Sequence, residues 1–220
     1  MSVKAWCVTE DLVGCKHQVQ GLAKAMQLEY CQKLVRVHRP WHYCPTGFYP
    51  FPHLALKNLD ALDPNKCPRY VITCGKKSVY ASLYLKKQLG DRVTTIHIQD
   101  PKISSASFDF IVAPEHDRID GPNVLKTRFA INHITPQLLQ SEAYQIERYF
   151  PASQQPLTLV VLGGTNRHFH FTLESLMPLK CHLESLFSAG GSRCVVLFSR
   201  RTPEPVCQAF RKWFQHHGAI

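Results

Sequence analysis

Apolar and polar positions follow two rhythms along this chain. Short apolar runs of strand length recur at Val3 to Val8, Gln32 to Val37, Tyr70 to Thr73, Val93 to Ile98 and Phe108 to Val112. Helical spacing runs through Gln18 to Gln27 and Ser78 to Leu89, the second with Gly90 just past its end as a stop signal. After the Asp120-Gly121 turn, Asn123-Val124-Leu125 begins another extended run. Thr135 to Phe150 reads as a helix, with Thr135 as N-cap and Pro136 at its first position. Residues 38 to 67 break the rhythm. Five prolines and many aromatic rings there predict a long surface excursion, with a short helix near Leu54 to Leu62.

Strand–helix alternation of this kind predicts the α/β class: a Rossmann-like, mainly parallel sheet with flanking helices. Such sheets place ligands beyond the carboxyl ends of their strands, near a switch in strand order. The loops there are Thr9 to His17, Cys74-Gly75-Lys76, Gln99-Asp100-Pro101 and Pro114 to Asp117. Residues 1–150 form the first expected domain. Pro151 to Pro156 reads as a linker, and the pattern restarts with a strand at Leu157 to Leu162. A largely helical stretch follows over Phe171 to Ala189, then a strand over Cys194 to Phe198 and a helix over Glu204 to His217. Two parallel strands cover neither face of a sheet. Residues 157–220 are therefore expected to be the start of a second Rossmann-like domain, extended by the first domain's sheet, by a partner chain or by further sequence.

The net charge of +10 favours anionic partners: nucleotides, phospholipid surfaces or nucleic acid. The charge is scattered, at Lys76-Lys77, Lys86-Lys87, Arg200-Arg201 and Arg211-Lys212, which argues against a nucleic-acid arm. Nine cysteines with no C-x-x-C, several inside apolar runs, point to free thiols in a reducing compartment. No paired spacing predicts a metal; His38, His42 and Cys44 come nearest to one. The N-terminus lacks signal-peptide character, and no apolar run approaches the roughly 20 residues a membrane span needs. A cytoplasmic protein, at most peripheral at the inner face of a membrane, is expected.

Four stretches carry candidate chemistry. In Pro114-Glu115-His116-Asp117 an imidazole stands between two carboxylates, an arrangement suited to general acid–base work near neutral pH. The same residues also fit a structural corner, Asp117 capping a turn and His116 bonding to backbone. Gly163-Gly164-Thr165 after a strand offers open backbone N–H groups to a phosphate, or makes a tight turn. Ser199-Arg200-Arg201-Thr202 supplies two guanidinium forks and two hydroxyls to a phosphate, or a solvated basic turn. Gly14, His17 and Gln18 lie between the first strand and helix, where they suit a sugar or phosphate or an ordinary loop.

Taken in order, several segments resemble the mitochondrial-fission ELM-type family of bacteria and plants. They are Gly14 to Gln18 with Gln20-Gly-Leu-Ala23, Ile72-Thr-Cys-Gly75, and Ile98-Gln-Asp-Pro101. Phe108-Asp109, Pro114 to Asp117, Gly121-Pro-Asn-Val124, Val161-Leu-Gly-Gly164 and Ser199 to Pro203 complete the set. The resemblance implies a GT-B glycosyltransferase, with two Rossmann-like domains facing across a cleft. The first would hold the acceptor, a cell-envelope or lipid-linked molecule, and the second the nucleotide-sugar. On this reading Glu115, His116 and Asp117 include the catalytic base. Gly14, His17, Gln18, Gly75, Asp100 and Asn123 bind substrate, while residues 163–165 and 199–202 bind phosphate. No D-x-D pair is present to hold a metal on a diphosphate, so the expected enzyme is metal-independent and needs no cofactor beyond its donor. A non-catalytic scaffold of the same family is the alternative. A dinucleotide-dependent dehydrogenase or epimerase lacks its G-x-G-x-x-G and the acid after the second strand.

Overall fold

The computed structural model describes residues 4–46, 52–58, 62–151, 153–166, 168–188 and 193–216. Val3, residues 59–61 of the expected 54–62 helix, Ala152, Ala189 and the positions from 217 onward lie outside them. The chain divides into two compact units, Met1–Gln140 and Ser141–Ile220.

The first unit is built on six parallel strands: β1 Ala5–Thr9, β2 Tyr30–Leu34, β3 Tyr70–Cys74, β4 Thr94–Ile98, β5 Phe110–Pro114 and β6 Val124–Thr127. Their order is β2-β1-β3-β4-β5-β6. The chain winds outward from β1 to β2, then returns past β1 to β3 and continues the other way. The switch point therefore falls between β1 and β3. This is the α/β, Rossmann-like class that the alternation predicts.

Strands β1 and β3 to β5 are near-continuous apolar runs because helices cover both faces of a parallel sheet. Helix α1 (Val13–Ala25) packs on the face carrying Cys7, Ile72, Cys74, Ile96, Ile98 and Val112. The opposite face carries Trp6, Val8 and Val71, together with Tyr80, Ala81, Leu85 and Leu89 of α4. Two four-residue helices, α2 (Arg39–His42) and α3 (Pro52–Ala55), lie between β2 and β3. Helix α4 (Ser78–Leu89) has the bounds its periodicity predicts, and Gly90 stops it in a left-handed conformation at φ 55°.

Helix α1 begins at Val13, five residues before the expected Gln18. Leu12 is extended at φ −116° and its carbonyl accepts from the Lys16 N–H at 3.0 Å, so the first turn closes over Gly14 and Cys15. Gly14, His17 and Gln18 thus belong to the helix, not to the loop before it. The residue that needs to be glycine in α1 is Gly21. A Cβ there would stand 2.3 Å from the Asn132 carbonyl oxygen, so the 131–133 segment lies directly on the helix.

The surface excursion holds α2, α3 and a 3-10 turn over Pro64–Lys66, rather than one helix near 54–62. Asn58 explains why the chain is extended there. Its side chain donates to the Leu34 carbonyl at 2.6 Å and accepts from the Arg36 N–H at 3.0 Å, standing in for a strand neighbour at the sheet edge. At the far side Asp109 joins β4 to β5. It accepts from Lys86 Nζ at 2.7 Å, from the Thr95 N–H at 2.8 Å and from the Thr95 hydroxyl at 2.9 Å. Burial alone would raise this carboxyl's pKa, but those bonds outweigh it and hold it below the ordinary value.

Helix α5 (Pro136–Ile146) is capped as expected, the Thr135 hydroxyl accepting from the Leu138 N–H at 3.1 Å. In the second unit β7 (Leu157–Leu162) pairs in parallel with β8 (Arg193–Phe198). Helices α6 (Met177–Ser188) and α7 (Glu204–His216) close one core around Val160, Leu162, Leu183, Cys194, Val206, Phe210 and Phe214. The alternate residues of β7, Leu157, Leu159 and Val161, are 48%, 57% and 67% exposed.

Candidate functional site

The carboxyl ends of β1 and β3 open into a cavity of about 590 Å³, where the strand order reverses. Glu10, Leu12 and Cys15 form one wall, Gly75 to Lys77 another, and Trp41 and Tyr43 to Thr46 a third; Tyr80 and Gln99 also line it. Glu10 links the two strand ends. Its carboxylate accepts from the Lys77 N–H at 3.0 Å and pairs with the Lys77 ammonium at 3.2 Å. Gly75 is left-handed at φ 95°, and a Cβ there would meet Cys15 Sγ at 3.2 Å and Glu10 Oε1 at 3.3 Å. Glycine is thus required where the β3 backbone turns toward α1. Among the described residues Lys76 makes no ion pair, so its ammonium is the uncompensated charge of this wall.

A second, smaller cavity of about 170 Å³ shares Gly75, Lys76 and Gln99 with the first and adds His97, Asp100, Lys102 and Asp117. Gln99 and Lys102 both have positive φ, 78° and 60°. Strain of this kind in non-glycine residues concentrates at ligand sites. Asp100 is tied down: its carboxylate accepts from the Lys102 N–H at 2.8 Å and from Lys102 Nζ at 2.6 Å. Burial would raise its pKa, but the bonds from Lys102 hold it below the ordinary value. His97 is 1% exposed; burial pushes its pKa down to about 3, so the ring is neutral. Its Nδ1 lies 2.8 Å from the Thr73 hydroxyl.

The sequence candidates at the mouth of β5 part company. Asp117 reaches the second cavity, with Oδ2 accepting from the Asp100 N–H at 3.0 Å. His116 is exposed, and its Nε2 stands 3.9 Å from Asp117 Oδ1. Glu115 is exposed, and its N–H donates to the Thr127 carbonyl at 2.9 Å. Gln18 accepts from Gln99 Nε2 at 3.3 Å, so it meets the site through another side chain. His17 packs on His133, ring centroids 4.1 Å apart. Gly14 faces open space. Asn123 donates both amide hydrogens to backbone carbonyls, those of Ser105 and Phe108, each at 2.8 Å, and so anchors a loop.

The model of the family described as "Mitochondrial fission ELM1" matches residues 13–220. The chain belongs to this family. An uncharacterised protein of Rickettsia prowazekii (strain Madrid E), RP120, is 23% identical to it over 236 aligned residues, which span 91% of this chain and 65% of that protein. The chain thus spans less than two thirds of the length of that relative. No solved structure matches it.

In the second unit of this ELM1-family chain the two phosphate-binding candidates interlock. The Thr202 hydroxyl donates to the Gly163 carbonyl at 2.7 Å and accepts from the Ser199 N–H at 2.9 Å. A Cβ on Gly164 would fall 2.0 Å from the Arg201 carbonyl oxygen. Both hydroxyls hold the turn together, leaving the exposed Arg200 and Arg201 as the groups open to an anion. Thr165 accepts from the Phe171 N–H at 3.1 Å. The sequence reading put Glu10 and Cys15 in a ligand-side loop without giving them a role, and missed Lys77, His97 and the Trp41–Thr46 wall. Glu10 and Gln99 were legible as first residues after strands; the wall was not, because the strand pattern says nothing of where a long excursion folds back.

Proposed function

We propose that this ELM1-family chain carries the acceptor side of a GT-B-type, metal-independent glycosyltransferase, with its second unit beginning the side that takes the nucleotide-sugar. The cavity at the β1/β3 switch point carries this reading: it combines aromatic walls, a carboxylate and an uncompensated lysine, a lining suited to a polar, anionic acceptor. His116 is the proposed base. Exposed and 3.9 Å from the Asp117 carboxylate, it can take the acceptor hydroxyl proton. Asp117 is itself held by the Asp100 N–H. Arg200 and Arg201, on the turn locked by Gly164 and Thr202, are the proposed diphosphate contacts.

The acceptor proposed is lipid-linked and anionic. Arg36, Arg39 and Lys57 line a depression of about 490 Å³ that shares Glu10, Leu12 and Lys77 with the main cavity, so a phosphate at a membrane surface would find cations beside the site. The scaffold reading has one observation in its favour, the exposed apolar face of β7, which suits a protein partner.

The test uses the protein isolated from its own cells. Nucleotide-sugars of the uridine and guanosine series are titrated by calorimetry, with the Arg200→Ala, Arg201→Ala double variant beside it. Saturable binding that weakens at least tenfold in the variant is the expected result. Binding by neither protein removes the sugar-transfer reading. Retained biological activity in a variant with Glu115, His116 and Asp117 all replaced favours the scaffold.

A further inference from the structure

His97 has one polar edge left over. The ring sits on β4 and is 1% exposed, yet it lines the cavity of about 170 Å³ beyond the carboxyl ends of β3, β4 and β5. Its Nδ1 is taken by the Thr73 hydroxyl at 2.8 Å. Its Nε2 has no hydrogen-bond partner among the described residues. The unpaired polar atoms sealed inside the described chain are Gln32 Oε1, Ser82 Oγ, His133 Nδ1 and Arg193 Nε. His97 Nε2 is not one of them, so it is the edge that reaches the cavity. A polar edge at so buried a position calls for a partner.

The hydrogen bonds around the ring say what that partner is. The Thr73 hydroxyl has one hydrogen to give. Directed at His97, it leaves the ring proton on Nε2; directed at the Ile96 carbonyl, 3.3 Å away, it leaves Nε2 as a lone pair. A hydroxyl group meets either form, because it donates and accepts. The charges of the lining cancel, Lys76 and Lys102 being balanced by Asp100 and Asp117. An anion would meet two carboxylates and a cation two ammonium groups, so the lining suits a neutral, polar molecule. The volume is that of about six waters at about 30 Å³ each, which one pyranose ring fills and a nucleotide exceeds.

We propose that this cavity is a binding site for one neutral sugar ring, with His97 Nε2 bonded to a ring hydroxyl. Asp117 offers an acceptor and Lys76 a donor to further hydroxyls. The loop is built before the ligand arrives. Gln99 and Lys102 turn the chain at positive φ, Asp117 Oδ2 accepts from the Asp100 N–H at 3.0 Å, and Lys102 Nζ donates to the Asp100 carboxylate at 2.6 Å. Gly75, Lys76 and Gln99 border both cavities, so the rest of a longer glycan has the main cavity to occupy. Asp117 also stands 3.9 Å from His116, which sets the ring beside the proposed base. Binding requires no transfer step; only the identification of the ring as part of the acceptor rests on the sugar-transfer reading.

The full chain is labelled with nitrogen-15 in its histidines and titrated with the methyl glycosides of glucose, galactose, mannose and N-acetylglucosamine, with no nucleotide-sugar present. The expected result is a saturable shift of the His97 Nε2 resonance with at least one glycoside, and none with inorganic phosphate. In His97→Phe, which keeps a ring and removes the polar edge, binding of that glycoside, followed by saturation-transfer NMR, should weaken at least tenfold. If that variant does not fold, the resonance of the unmodified chain decides alone. The proposal is overturned if no glycoside moves the resonance, if phosphate moves it as far, or if a folded His97→Phe loses less than tenfold. The sugar-transfer reading fails separately, through the absence of nucleotide-sugar binding that depends on Arg200 and Arg201.

Discussion

His97 shows how one buried side chain ties the site to pH. It lies on β4 under Phe108, ring centroids 5.1 Å apart, beside the Thr73 hydroxyl and bordering the smaller cavity. Burial lowers its pKa from 6.5 to about 3, while the nearby Asp100 carboxylate only partly opposes the shift. The unfolded chain therefore binds one proton more than the folded chain between those values. Stability is unaffected by this group above pH 6.5 and falls as the pH drops below it, by about 1.4 kcal/mol per unit, until roughly pH 3. Urea unfolding across that range should show the slope, and His97→Gln should flatten it even if the variant is weaker at neutral pH. An unchanged slope in the variant would assign the acid sensitivity to the carboxylates instead. This role is not legible in the sequence: a histidine inside an apolar strand run looks the same whether its ring is buried or projects from an edge.

At the scale of elements, the two loops after β7 and β8 behave as one piece. Gly164 touches the Arg201 backbone so closely that a methyl group has no space, and the contact is with a carbonyl rather than a flexible side-chain tip. Gly164→Ala should destabilise the second unit by about 3 kcal/mol or more, since overpacking against backbone forces a shift of the chain. Gly163→Ala, with open space around it, should cost far less. Chemical denaturation followed through Trp213, which packs on Phe210 and Phe214, compares the two. Equal losses would mean that the interlock contributes nothing. Sequence patterning found nearly all these elements because a buried parallel strand is a continuous apolar run and a helix end carries a glycine, as at Gly90. It set the start of α1 late because Gly14 and Cys15 read as loop residues, while the closing of the first turn depends on the Leu12 carbonyl. The excursion after β2 was opaque for a related reason: Asn58 holds it by backbone bonds to residues more than twenty positions away.

At the scale of the whole molecule, charge and apolar exposure point to different partners. No described helix is long and apolar enough to cross a membrane. The net charge of +10 is instead available to a surface, and Arg36, Arg39 and Lys57 gather around one depression. Attraction of this kind is screened within about 10 Å at an ionic strength of about 0.1 M and is far weaker at about 1 M. Flotation with phosphatidylserine vesicles should therefore recover the protein at low salt and lose it at high salt. Phosphatidylcholine vesicles should recover none at either. Arg36→Ser with Arg39→Ser and Lys57→Ser should weaken the low-salt binding, each cation near an anionic surface being worth about 1 kcal/mol. Binding that persists at high salt would point instead to the exposed Leu157, Leu159 and Val161. Replacing those three with threonine, which keeps the strand's shape and lowers its hydrophobicity, would then abolish the retention while the basic variant left it intact.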